Sequence, residues 1–132
     1  MAQSQIEFGD ATAAIVWLLD LNLTVPAFSR IPADRPAEFV TASRQGGTQR
    51  NLVVDSPIVL IEAWAQQPDR ANDIAAEARA IVHAAHGDRI GTELLLVCRV
   101  DELAGLALVP DPLSSQARCT FTLQVSLRAK NA

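Results

Sequence analysis

Few residues of this chain have types and spacing suited to catalysis. His83 and His86 stand three apart in a helical stretch, so one helix face could carry both. A metal ion needs further ligands at matched spacing, and the neighbouring sequence supplies no obvious set. Two surface histidines near a helix C-terminus, where the dipole favours their charged form, are the expectation instead. Cys98 and Cys119 lack a CxxC spacing and sit in apolar runs. A nucleophilic cysteine wants an exposed, electropositive setting with a nearby base. These two read as buried thiols, neither nucleophiles nor a disulfide. Ser29, Ser56, Ser114 and Ser115 stand outside any GxSxG context. Gly46-Gly47 has no phosphate-loop context and reads as a turn. Glu62 interrupts an apolar strand, as a carboxylate in a pocket would. A rim or interface position with an arginine partner is the commoner reason for such a residue. The expectation is a protein with no catalytic residues, cofactor or metal.

Residues 44–51 offer a different chemistry. Arg44, Gln45, Gln49, Arg50 and Asn51 form a mildly basic, amide-rich patch. One reading is a solvated loop. The other is an arm that binds a partner or a neighbouring subunit, its arginines gripping carboxylates in bidentate geometry. Nucleic acid fits less well, because no aromatic residue interleaves with the basic ones. The net charge of −4 also supplies no basic field.

The elements that must position these residues follow from periodicity. Asp10 is placed to cap a helix over residues 11–21, with Ala11, Ala14, Ile15, Leu18 and Leu19 on one face. Val16 and Trp17 widen that stripe, so the helix is expected to be covered on more than one side. Pro26, Pro32 and Pro36 confine the next stretch to a sheet edge or coil. Residues 39–44 and 58–65 read as the two strands of a hairpin. Residues 52–54 read as a short strand returning along the arm, broken from the main strand by Asp55-Ser56-Pro57. The connection between the two main strands is longer than compact domains use, so the hairpin is expected to project as an arm spare to the monomer's own fold. The near-continuous apolar run from Ile58 predicts a central strand covered on both faces. Residues 68–86 predict the firmest helix: Ala71, Ile74, Ala75, Ala78, Ile81, Val82 and Ala85 repeat at steps of three and four. Residues 94–103 form a further strand. In the last strand Cys119, Phe121, Leu123, Val125 and Leu127 alternate with polar residues, which predicts one buried and one wet face. Helices separated by hairpins give an α+β fold: a mostly antiparallel sheet with two helices packed against it and a long projecting hairpin arm.

With 132 residues, 49% hydrophobic and 20% charged, the chain suits one globular domain over residues 1–132. The first residues carry no basic region followed by an apolar core, so no secretory signal is expected. The longest apolar run, residues 13–19, falls well short of the roughly 20 needed to span a bilayer. A soluble protein made in the cytoplasm is the expectation.

Several groups of residues, taken in order, carry a resemblance. Arg35-Pro36 precedes Phe39-Val40. The Gly46-Gly47 stretch leads into Arg50-Asn51-Leu52. Glu62-Ala63-Trp64 ends a strand, and Pro110-Asp111-Pro112 precedes the last strand. The chain resembles, over nearly its whole length, the tail terminator proteins of long-tailed bacteriophages and prophages. The resemblance implies a non-enzymatic virion protein that assembles with itself as a homo-oligomeric, hexameric ring. Such a ring caps the tail tube, ends tube polymerisation and joins the head. Its implied partners are the major tail tube protein and the head–tail connector of the neck. Genomic DNA would pass through its lumen without sequence-specific binding, and no membrane is involved. The implied location is the neck end of the virion tail, reached from the host cytoplasm. A ring needs unlike patches on the two sides of a subunit. The arm and the first helix could supply them, with Trp17 and Glu62 as further candidate interface residues. Two alternatives stand beside this: another neck or tail-tube-related ring protein such as a head-completion stopper, and a small cytoplasmic ligand-binding or enzymatic domain using Glu62 or the histidines.

Overall fold

The structure, a computed structural model, describes residues 6–130. Its elements run α1 (Ala11–Asn22), β1 (Ala27–Phe28), β2 (Phe39–Gln49), β3 (Val54–Ala65), α2 (Pro68–Ala84), β4 (Arg89–Ile90), β5 (Leu95–Leu108) and β6 (Ala117–Arg128). Six strands make one sheet in the order β1-β2-β3-β6-β5-β4. Every neighbouring pair is antiparallel except β1 with β2. The fold is α+β. No helix among the described residues is long and apolar enough to cross a membrane.

Both helices lie on one side of the sheet. Asp10 Oδ1 accepts from Ala13 N at 3.0 Å and opens α1, the cap its short carboxylate suits. Pro68 opens α2 at a position where a missing N–H costs nothing. α1 packs on β1, β2, β4 and α2, and α2 packs on β3, β5 and β6. The core between helices and sheet holds Ile15, Leu19, Ile74, Val82, Val59, Ile61, Phe121, Leu123 and Val125, all nearly fully buried. The alanines of α2 let it approach closely. At Gly91, with φ +76°, an added Cβ would lie 3.0 Å from the Ala14 Cβ, so the β4–β5 turn meets α1 without room for a side chain.

The opposite side of the sheet has a second, smaller core. Phe39 and Trp64, neighbours across β2 and β3, stack with ring centroids 4.7 Å apart and planes 8° from parallel. Phe28 meets the edge of Phe39 at 6.2 Å. Trp64 and Phe39 are fully buried. β3 is therefore not covered uniformly on both faces. Val59, Ile61 and Ala63 lie under the helices, whereas Ile58, Leu60 and Glu62 on the other face are half-buried. Its unbroken apolar run hid an alternation between a complete cover and a partial one.

The hairpin also differs from expectation. β2 continues to Gln49 and β3 starts at Val54, so only residues 50–53 connect them. Asp55, Ser56 and Pro57 do not break the strand. They pair with Gln49, Thr48 and Gly47 across a bulge between Arg44 and Gly47. That bulge is where a proline without an N–H can be tolerated. Val54 and Asp55 pair with Arg128 and Leu127 of β6 as well. The stretch read as a loose arm is thus laddered on one side, and its backbone belongs to the monomer's sheet.

Candidate assembly surface

Three regions bear on function: the distal hairpin, a polar clamp at the other end of the sheet, and the sheet's two edges. At the distal hairpin, Arg44 Nη1 and Nη2 donate to the two Asp55 oxygens at 2.8 and 3.1 Å, and Arg44 Nε donates to the Gly46 carbonyl at 2.7 Å. Asn51 Oδ1 accepts from Val53 N and Val54 N at 2.9 and 3.0 Å, which builds the tip turn. Gly47 has φ +90°, and a Cβ there would fall 2.3 Å from the Ser56 carbonyl oxygen, so only glycine fits this bulge. Ser56 and Ser126 hydroxyls meet at 2.9 Å beneath the hairpin.

The five residues expected to act as a partner-binding patch therefore divide. Arg44 and Asn51 are committed to the hairpin's own geometry. Gln45 turns back to Ser43 Oγ at 3.0 Å while staying exposed. Gln49 is exposed, and Arg50 reaches Ser56 Oγ at 3.3 Å with no carboxylate partner among the described residues. Beside them Leu52 is 78% exposed.

At the far end, Asp111 is the hub of a clamp that the sequence reading did not single out as a site. Its side chain is 4% exposed. It accepts from Arg35 Nη1 at 2.6 Å, Ser114 Oγ at 2.7 Å, Leu113 N at 3.0 Å and Trp64 Nε1 at 3.2 Å. Led by the Leu113 N–H, these donors hold its carboxyl well below the usual carboxylate range, against the effect of burial. Gln116 Nε2 donates to the Pro36 and Ala37 carbonyls at 3.0 and 3.1 Å. The clamp ties the proline-rich stretch after β1 to the loop before β6 and closes the cover over the Phe39–Trp64 stack. Beyond it Leu113 stands 81% exposed.

Glu62 has the arginine partner expected of it: Arg118 Nη1 donates to Glu62 Oε2 at 3.2 Å. Burial pushes the Glu62 carboxyl above its ordinary range, opposed by the Arg118 charge. The pair lies on the half-covered face of the sheet. Trp17 is 38% exposed on α1. It lines a cleft of about 410 Å³ with Asp10, Ala13, Ser29, Gly91 and Glu93. Trp17 and Glu62 are not brought together with the distal hairpin.

His83 and His86 are exposed, and His86 Nε2 donates to the Cys98 carbonyl at 2.9 Å. Both cysteines are free, and burial pushes the Cys119 thiol up. Among the described residues no three His, Cys, Asp or Glu side chains gather where a metal ion could be held.

The sheet's edges are each half covered. β1 pairs with β2 only at Val40 and Thr41, and β4 pairs with β5 only at Leu95 and Leu96. Past Thr41, the outer edge of β2 is partly occupied: Ala42 is fully buried, Arg44 N donates to Thr12 Oγ1 at 3.2 Å, and the Arg44 guanidinium donates to the Gly46 and Gly47 carbonyls at 2.7 and 3.5 Å. On β5, the Gly87 and Asp88 backbone reaches Val97, and residues 99–108 have no outer strand among the described residues. Leu103 and Leu108 on that segment are 50% and 54% exposed.

Compared with known proteins, the chain matches no family model and no curated protein.

Proposed function

We propose that this chain is a structural protein of a long-tailed phage particle, a tail terminator that closes into a ring on the end of the tail tube. The ring ends tube polymerisation and presents a surface to the head–tail connector, and the genome passes through its lumen. No chemical step is assigned to it. The observation that carries the reading is a convergence. Arg35 with Phe39, Trp64, and Asp111 come from three of the four groups of residues on which the resemblance rests, the fourth being in the distal hairpin. In space they form one clamp and stack. Residues that specify one shared piece of architecture are expected to converge in this way, whereas chance likenesses scatter. Two unlike, half-open sheet edges on one small subunit add support, because a ring needs a heterologous interface.

The test is electron microscopy of lysates from a phage lacking this protein. Loss of a terminator gives abnormally long tails. Tails of normal length beside unattached full heads would instead make this a stopper of the neck, and normal joined particles would remove it from the tail altogether.

A further inference from the structure

The two open edges match each other. Across the sheet the pairing registers run Arg44–Val59–Leu123–Glu102, so the free part of β2 lies level with the free part of β5. At one end Gln49–Asp55–Leu127–Val97 are level, just below the point where β4 begins to cover β5. At the other, Val40–Ala63–Cys119–Leu108 are level, where β1 covers β2. Between those stops lies, among the described residues, a strand-free stretch of each edge at the same height, residues 43–48 of β2 and 99–106 of β5, and the stops are at opposite ends.

Polarity matches too. Three successive antiparallel pairings make β2 and β5 run in opposite directions. A second copy laid beside the first, with its helices on the same side, would bring its β2 antiparallel to β5. Charge does not oppose it. Residues 42–50 contain Arg44 and Arg50 and no acid, and residues 99–108 contain Asp101 and Glu102 against Arg99 alone, although within one subunit Arg44 is already held by Asp55, Asp101 by Arg99 and Glu102 by Arg79. A two-fold pairing of β5 with itself would instead bring the acidic segments together, which like charges disfavour.

We propose that the β5 edge over residues 99–106 of one copy takes the β2 edge over residues 43–48 of the next as an added antiparallel strand. The pairing rests on the ring reading and names the contact between neighbours in that ring. β4 of the first copy and β1 of the second act as end stops that set the register, with Arg44 of the second copy opposite Glu102 of the first. The bulge between Ala104 and Ala107 lets the end of β5 turn aside from the incoming β1. The Thr12 bond to Arg44 N and the Arg44 guanidinium bond to the Gly47 carbonyl are exchanged for ladder bonds. An edge satisfied this way no longer invites non-specific pairing.

The register gives a direct test. Ser43 is level with Leu60, Thr122 and Ala104. The full-length chain with Cys98→Ser, Ser43→Cys and Ala104→Cys places the two new thiols opposite each other at the junction, within disulfide reach. Inside one subunit they lie three strands apart, about 14 Å, and cannot join. Mild oxidation is expected to give an inter-chain ladder that ends at the ring, and hydrogen exchange at residues 99–106 is expected to slow at least tenfold on assembly. Rings of unchanged mass with neither effect would overturn the pairing and leave the ring reading standing. A chain monomeric at every concentration would overturn both. Dimers from the variant carrying Ala104→Cys alone would replace the pairing with a two-fold one.

Discussion

The two ends of the β2–β3 hairpin are built from the same pair of strands and put to opposite uses. At the base, Phe39 and Trp64 are fully buried and their only polar atom in play, Trp64 Nε1, is bonded to Asp111. At the tip, the backbone is laddered and the turn is pinned by Asn51, yet Gln45, Gln49, Arg50 and Leu52 are presented to solvent. A side chain that makes at most one hydrogen bond in the monomer but rides on a rigid backbone is pre-organised for contact. The difference teaches that the hairpin's order comes from the monomer, and that its exposed residues are free to serve an assembly.

That contrast can be broken at the base first. Trp64→Ala should remove about 3–5 kcal/mol of stability, since it empties a stacked site and orphans part of the clamp. Urea unfolding measures it, and a loss near that of a surface substitution would mean the second core is not there.

Asp111→Asn should cost about 2–3 kcal/mol at neutral pH, because the charge beside Arg35 is lost and the amide must turn a donor toward the Leu113 N–H or toward the Arg35, Ser114 and Trp64 donors. The pH dependence has a definite sign. A carboxyl held below its ordinary range contributes stability above the unfolded value, about 4, and loses it as pH falls through the folded value. The gap between the parent chain and Asp111→Asn should therefore narrow below pH of about 4. A gap that is constant with pH would show that the charge is not what the clamp uses.

Two neighbouring glycines sharpen the comparison within the hairpin. Gly46 has φ +110° with open space where a Cβ would sit, whereas Gly47 would press one against Ser56. Gly46→Ala should cost about 1–2 kcal/mol from backbone strain alone, and Gly47→Ala clearly more. Equal losses would mean the bulge is looser than drawn. The smallest effect belongs to the tip. Arg50→Ala with Leu52→Asp should change unfolding by no more than about 0.5 kcal/mol. A larger loss would return these side chains to the fold.

Much of this architecture was legible in the sequence where a period could be counted. The two helices and β6 announce themselves by spacings of three and four or of two, and Asp10 and Pro68 mark the helix starts. The hairpin was misread because Gly46-Gly47 and Asp55-Ser56-Pro57 are turn signals that the fold uses for a bulge inside paired strands. β4 is two residues long and leaves no pattern. β5 runs on to Leu108 through three irregularities that erase alternation. The clamp was invisible as a site because Arg35 and Asp111 lie 76 positions apart.

The central claim is that the half-open edges of β2 and β5 belong between copies of this chain. Sedimentation velocity of the purified full-length protein over a wide concentration range tests it most directly. The account predicts one closed multiple of the subunit mass, with no growth into longer species as concentration rises. A monomer throughout, or a dimer and nothing larger, would contradict it.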